Sequence, residues 1–106
     1  MNTKLLMAAL AGALIAAPAL AADPAEDAMN KAGCMACHTK DKKLVGPAFK
    51  DIAAKYKGQG DVTAKLMEKV RKGGAGVYGP VPMAPNPPDK IADAQLKGAI
   101  EFILKN

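Results

Sequence analysis

The stretch Cys34-Met35-Ala36-Cys37-His38 constrains this chain more than any other. It contains both cysteines and the single histidine of the 106 residues. Cys-x-x-Cys-His is the pattern of c-type haem attachment. The spacing has a physical reason. Two thiols this far apart reach the two vinyl groups along one edge of a porphyrin and close thioethers onto them. The next residue then falls beneath the ring, with its imidazole toward iron. Other readings of the pair fit less well. Zinc needs further Cys or His ligands, and the chain has none. A thioredoxin-like redox pair expects a βαβ setting, which the pattern lacks. A structural disulfide across so short a loop gains little from chain entropy.

A haem also explains the composition. Half the residues are apolar, yet only 4% are aromatic and none is Trp. A chain of this length is one domain at most, near the size where side chains alone build a thin core. A covalent porphyrin among helices would supply the missing apolar bulk.

Residues 1–21 have the parts of a secretory signal: Lys4 as a short positive region, an apolar run from Leu5 to Ala17, then the small-x-small site Ala19-Leu20-Ala21. Cleavage is expected after Ala21 or Ala22, leaving 22–106 as a single domain. The alternative, an uncleaved anchor, meets a run short for a membrane span and interrupted by Gly12 and Pro18. No lipid-attachment cysteine accompanies the signal. The expected compartment is the bacterial periplasm, which is oxidising and is where haem can be attached, and no stable membrane insertion is expected.

The basic excess is modest, with 15 Lys and Arg against 10 acidic residues. Removing Lys4 with the signal leaves fourteen against ten. The lysines are spread along the chain and no nucleic-acid motif is present, so nucleic acid is not an expected partner. Lys31, Lys40, Lys42 and Lys43 read either as a solvated rim or as a docking ring around a haem edge, with Val45, Pro80 and Pro82 at its apolar centre.

Four helices are expected. Asp23 caps the first, Pro24 suits its opening position, Glu26 completes a capping box and Gly33 ends it. Pro47 opens a second, whose apolar face is Phe49, Ile52, Ala53 and Tyr56. Asp61 caps a third with the stripe Val62, Leu66 and Val70 and with Met67 beside it. The last runs from about Asp93 to Leu104 on Leu96, Ala99, Ile100 and Ile103, with Phe102 alongside and Met29 as its expected partner on the first helix. Between the third and fourth, residues 73–91 carry five prolines and four glycines, which exclude helix. No strand pattern occurs.

With no second histidine, the sixth iron position falls to a methionine, a lysine or nothing. Met29 is placed to pack, Met35 lies within the attachment turn, and Met67 holds a helical core position where methionine fills gaps. Met83, between Pro82 and Ala84 in a stiff loop, is the favoured ligand. A thioether there favours reduced iron and closes the site to oxygen chemistry.

Taken together, Cys34 to His38, Val45-Gly46-Pro47-Ala48, the run Gly76-Val77-Tyr78-Gly79-Pro80-Val81-Pro82-Met83 and the closing helix resemble the short class I c-type cytochromes of bacteria. The resemblance spans essentially the whole chain after the signal. It implies an all-α fold of about four helices around one covalent haem c, with thioethers at Cys34 and Cys37 and with His38 and Met83 on iron. It implies that a backbone carbonyl neighbouring Pro47 accepts from the proximal imidazole and that Asn86 donates near the methionine sulfur. Lys69 and Tyr78 match propionate-binding positions where the family has Arg and Trp. Ala84 stands where a proline is usual, and Pro87-Pro88 resembles part of a small insertion.

The expected function is a soluble, monomeric, periplasmic one-electron carrier, not an enzyme. The expected partners are redox proteins: a quinol-oxidising complex or another donor, and as acceptor a nitrite reductase, which the resemblance suggests, or a terminal oxidase. The competing reading is a haem enzyme or gas sensor with an open distal site, peroxidase-like in chemistry.

Overall fold

A computed structural model of the chain describes Gly12 and residues 23–106. The signal read over residues 1–21 therefore lies, Gly12 apart, outside the described residues. Helix α1, Pro24–Ala32, starts where Asp23 Oδ1 accepts the Ala25 amide at 2.9 Å and stops at Gly33, whose φ of 85° only glycine adopts freely. Glu26 does not close a capping box. Its carboxylate instead pairs with Lys40 at 3.4 Å, tying α1 to the segment after the attachment turn.

The attachment turn Cys34–Ala36 is a single turn of 3-10 helix that follows Gly33 directly. Helix α2, Phe49–Tyr56, begins two residues after Pro47, with Ala48 as its cap. Pro47 is thus outside the helix, which leaves its carbonyl for another use. Helix α3, Val62–Lys72, also departs from expectation. Asp61 sits at φ 54° in the left-handed region, and its side chain makes no capping bond. A carboxylate in that conformation is turned away from the first amides, so the turn outweighs the cap. Helix α4, Asp93–Leu104, has the expected bounds, and Gln95 Oε1 accepts the Ala92 amide at 3.2 Å.

Helix α4 is the hub, in contact with α1, α2 and α3. Its spacing of Leu96, Ala99, Ile100 and Ile103 puts one apolar stripe inward. Against it lie Ala28 and Met29 of α1, Phe49 of α2 and Ile91. Met29, Phe49, Leu96 and Ile100 are the largest fully buried side chains. Burying each contributes on the order of 1.5–3 kcal/mol. Phe102 packs on the same cluster as Met29, and Lys40 Nζ lies 5.3 Å from the centre of its ring.

The remaining apolar faces are only half-buried. Ile52, Tyr56, Leu66 and Val70 turn toward a cleft rather than into the cluster's centre. No sheet occurs among the described residues, only isolated bridges between His38 and Lys43 and between Gly74 and Met83. No described helix is long and apolar enough to cross a membrane.

Candidate haem site

The cleft has a volume of about 420 Å³, within the roughly 300–1,000 Å³ of ordinary cofactor sites. All eight residues singled out in the sequence line it: Cys34, Cys37, His38, Pro47, Lys69, Tyr78, Met83 and Asn86. They come from the attachment turn, the entry to α2, the last turns of α3 and the long loop before α4.

His38 is fixed from three sides. Its Nδ1 lies 2.8 Å from the Pro47 carbonyl oxygen. A carbonyl can only accept, so Nδ1 carries the proton and Nε2 keeps its lone pair for a metal. Phe49 stacks on the ring with centroids 5.6 Å apart and planes 20° from parallel. Gly46 closes the third side. A Cβ there would come within 2.6 Å of the imidazole Cε1, so the ring rests on bare backbone. Gly46 is itself held, its amide donating to the Cys37 carbonyl at 2.8 Å.

Cys34 and Cys37 are half-buried free thiols, not joined as a disulfide. Burial pushes the Cys34 thiol above its ordinary pKa, against the opposing pull of a backbone hydrogen bond and of Lys90. A neutral thiol in apolar surroundings is poorly suited to zinc, which binds thiolate.

Met83 lies where the long loop returns to the end of α3. Its amide donates to the Gly74 carbonyl and its carbonyl accepts the Gly74 amide, both at 2.9 Å. Gly73, at φ 68°, lets the chain pass this close, because a Cβ there would run into the Met83 carbonyl. Of the four methionines weighed as ligands, Met29 and Met83 line the cleft, whereas Met35 and Met67 pack around the core cluster. Met29 is fully buried in that cluster.

Asn86 donates from Nδ2 to the Ala84 carbonyl at 3.0 Å and to the Val70 carbonyl at 3.2 Å. Its amide is thereby committed to two backbone carbonyls, one directly after Met83 and one in α3. Lys69 extends toward Gly74, with Nζ 3.2 Å from where a Cβ would stand. Tyr78 lies on the cleft rim beneath Lys55, whose Nζ is 5.7 Å from the ring centre. Burial, Tyr56 and Asp51 push the Tyr78 hydroxyl up to about 12, so it is a neutral donor at physiological pH.

Of the lysines, Lys31 pairs with Asp27 at 3.0 Å and Lys40 with Glu26, whereas Lys43 reaches the cleft. Arg71 escaped the sequence reading entirely. It does not itself line the cleft, but it bonds to Asn86 in the loop that carries Met83.

These residues fit a covalent haem. Two unbridged thiols, an imidazole with Nε2 free, a thioether and an apolar cleft are the donor set and the cavity such a group needs. The comparisons with known proteins agree. Residues 22–106 match the family model described as Cytochrome c. Cytochrome c2 of Rubrivivax gelatinosus is 51% identical over 84 residues, which are 79% of this chain and 98% of that protein. Cytochrome c-551 of Pseudomonas aeruginosa is 43% identical over 93 residues, 88% of this chain and 86% of the relative. The crystal structure of wild-type Nitrosomonas europaea cytochrome c552 matches with a TM-score of 0.69 at 43% identity, covering 74% of this chain and 95% of that one. The resemblance read from the motifs and the all-α fold are thus borne out, as is a role as an electron carrier with one covalent haem c rather than an enzyme. The chain belongs to the cytochrome c family, among its small class I members.

Proposed function

We propose that this protein is a soluble, monomeric one-electron carrier of the periplasm, exported by removal of residues 1–21 or 1–22 and working as the single domain that remains. Cys34 and Cys37 would hold the haem through thioethers, and His38 Nε2 and the Met83 sulfur would ligate its iron. When bound, the haem iron takes up and releases one electron. The chain's own residues keep that exchange simple. Pro47 and Phe49 fix the imidazole, the Gly74 ladder fixes Met83, and the apolar cleft excludes water. A site whose ligating side chains are held in place in advance would have little to rearrange when its charge changes. Lys69 and Tyr78, which line the cleft, would meet the haem propionates as cation and hydroxyl donor. The donor is a quinol-oxidising complex or equivalent, and the acceptor a nitrite reductase or terminal oxidase.

The observation that carries this reading is the joint presence of His38, with Nδ1 committed to Pro47, and of Met83, bonded at both backbone groups, in one apolar cleft. Carbon monoxide tests it. The reduced, haem-loaded protein is expected to bind the gas only slowly, and its oxidised form to show a long-wavelength sulfur-to-iron band. Met83→Ala is expected to lose the band and bind the gas rapidly. Rapid binding by the parent protein would establish an open distal site and overturn the carrier reading.

A further inference from the structure

Arg71, in the last turn of α3, lies outside the haem cleft, yet its side chain makes more hydrogen bonds than any other among the described residues. The side chain is only 19% exposed. Nη1 donates to the Asn86 carbonyl at 3.0 Å and to the Ile91 carbonyl at 2.7 Å, and Nη2 meets Asp93 Oδ1 at 2.5 Å. One guanidinium therefore grips both ends of the strap from Asn86 to Ile91 and the first residue of α4. Between those ends, Pro87 to Lys90 are exposed and held by little more than a turn from the Pro87 carbonyl to the Lys90 amide at 2.9 Å.

The near end of the strap leads straight to Met83. Val70, beside Arg71, accepts both the backbone amide and the side-chain amide of Asn86, at 3.1 and 3.2 Å. The same side-chain amide holds the Ala84 carbonyl. The loop around Met83 is thus fastened at Gly74, just past the end of α3, and at Val70 within α3, and Arg71 locks the second fastening from behind. A planar fork serves three acceptors in this way. A lysine ammonium, as a point charge, does not.

We propose that Arg71 is a positioning residue for the electron-transfer site, keeping the strap closed so that Met83 stays on the iron. This rests on Met83 being the ligand. Its role differs from general stabilisation because it acts on one equilibrium, Met83 bound against Met83 displaced.

The test is imidazole titration of the oxidised, haem-loaded protein, with the sulfur-to-iron band as reporter, in the parent and in Arg71→Gln, Arg71→Lys and Asp93→Asn. Losing one charge-assisted hydrogen bond's worth of closure should tighten imidazole binding about tenfold in Arg71→Gln and Arg71→Lys. Asp93→Asn removes only an exposed ion pair and should stay within about twofold of the parent. Should Arg71→Gln fail to fold, Arg71→Lys carries the comparison. Lowered melting temperatures with unchanged imidazole affinity in Arg71→Lys would overturn the proposal and leave Arg71 a structural brace. A parent protein lacking the band would overturn the ligand assignment, and this inference with it.

Discussion

Gly46→Ala puts one methyl group against the proximal imidazole. The new Cβ would stand 2.6 Å from His38 Cε1 and 3.0 Å from both ring nitrogens. Carbon atoms in good contact are about 3.5–4.0 Å apart, so the ring or the backbone must yield by about 1 Å. The ring has nowhere easy to go. Phe49 stacks on it, and a 1 Å displacement would stretch the 2.8 Å bond to Pro47 beyond useful length. Overpacking of about 2 kcal/mol and a lost hydrogen bond of about 1 kcal/mol give roughly 3 kcal/mol in all. For a domain of this size that is a fall in melting temperature of about 12–24 °C. The assay is thermal unfolding of the haem-loaded protein followed by far-ultraviolet circular dichroism. Gly98→Ala is the control. A Cβ at that mid-helix position on α4 meets nothing within 4 Å, and it should raise stability by about 0.5–1 kcal/mol. The steric account of Gly46 is refuted if its alanine variant melts within about 3 °C of the parent, well inside the shift expected for this much overpacking.

Two other expectations concern the core and the alkaline limb. Met29→Ala empties a fully buried site beneath α4 and should cost about 2–5 kcal/mol, read as a lower midpoint in guanidinium; a midpoint equal to the parent's would mean the cluster collapses into the space. The Tyr78 hydroxyl, pushed up from 10.0 to about 12, favours its neutral form in the folded protein, so its contribution to stability is complete below pH 10 and is lost as pH rises through 12. Tyr78→Phe should flatten the decline of stability across that interval, and tyrosinate absorbance in Tyr56→Phe should rise for Tyr78 only toward its upper end; ionisation near pH 10 would contradict the burial argument.

The parts legible in the sequence share a property: each is written in residues close together along the chain. The haem motif, the cap at Asp23, the stop at Gly33 and the stripe on α4 all depend on neighbours within a few positions. The misread parts depend on distant partners. Glu26 looked like half of a capping box, but Lys40 takes its carboxylate. Pro47 looked like the first residue of a helix, but it stands outside α2 with its carbonyl on His38. Asp61 has the side chain of a cap and the backbone of a turn, a choice that local pattern cannot register. Arg71 reads as one more basic residue on a helical face. Its acceptors lie 15, 20 and 22 positions away and two of them are backbone oxygens, so composition and spacing carry no trace of them.

The two-residue bridge between Gly74 and Met83 also says where this chain can change length. Because both backbone groups of Met83 are spent on Gly74, adding or deleting a residue between those two positions shifts the sulfur along the chain and breaks a register. Residues 87–89 lie beyond that register, exposed and between the two carbonyls that Arg71 grips. Chain can be inserted or removed there at the cost of a surface turn, without moving Met83. The loop therefore has a segment of fixed length followed by one of free length, and relatives or engineered variants that differ in size are expected to differ in the second.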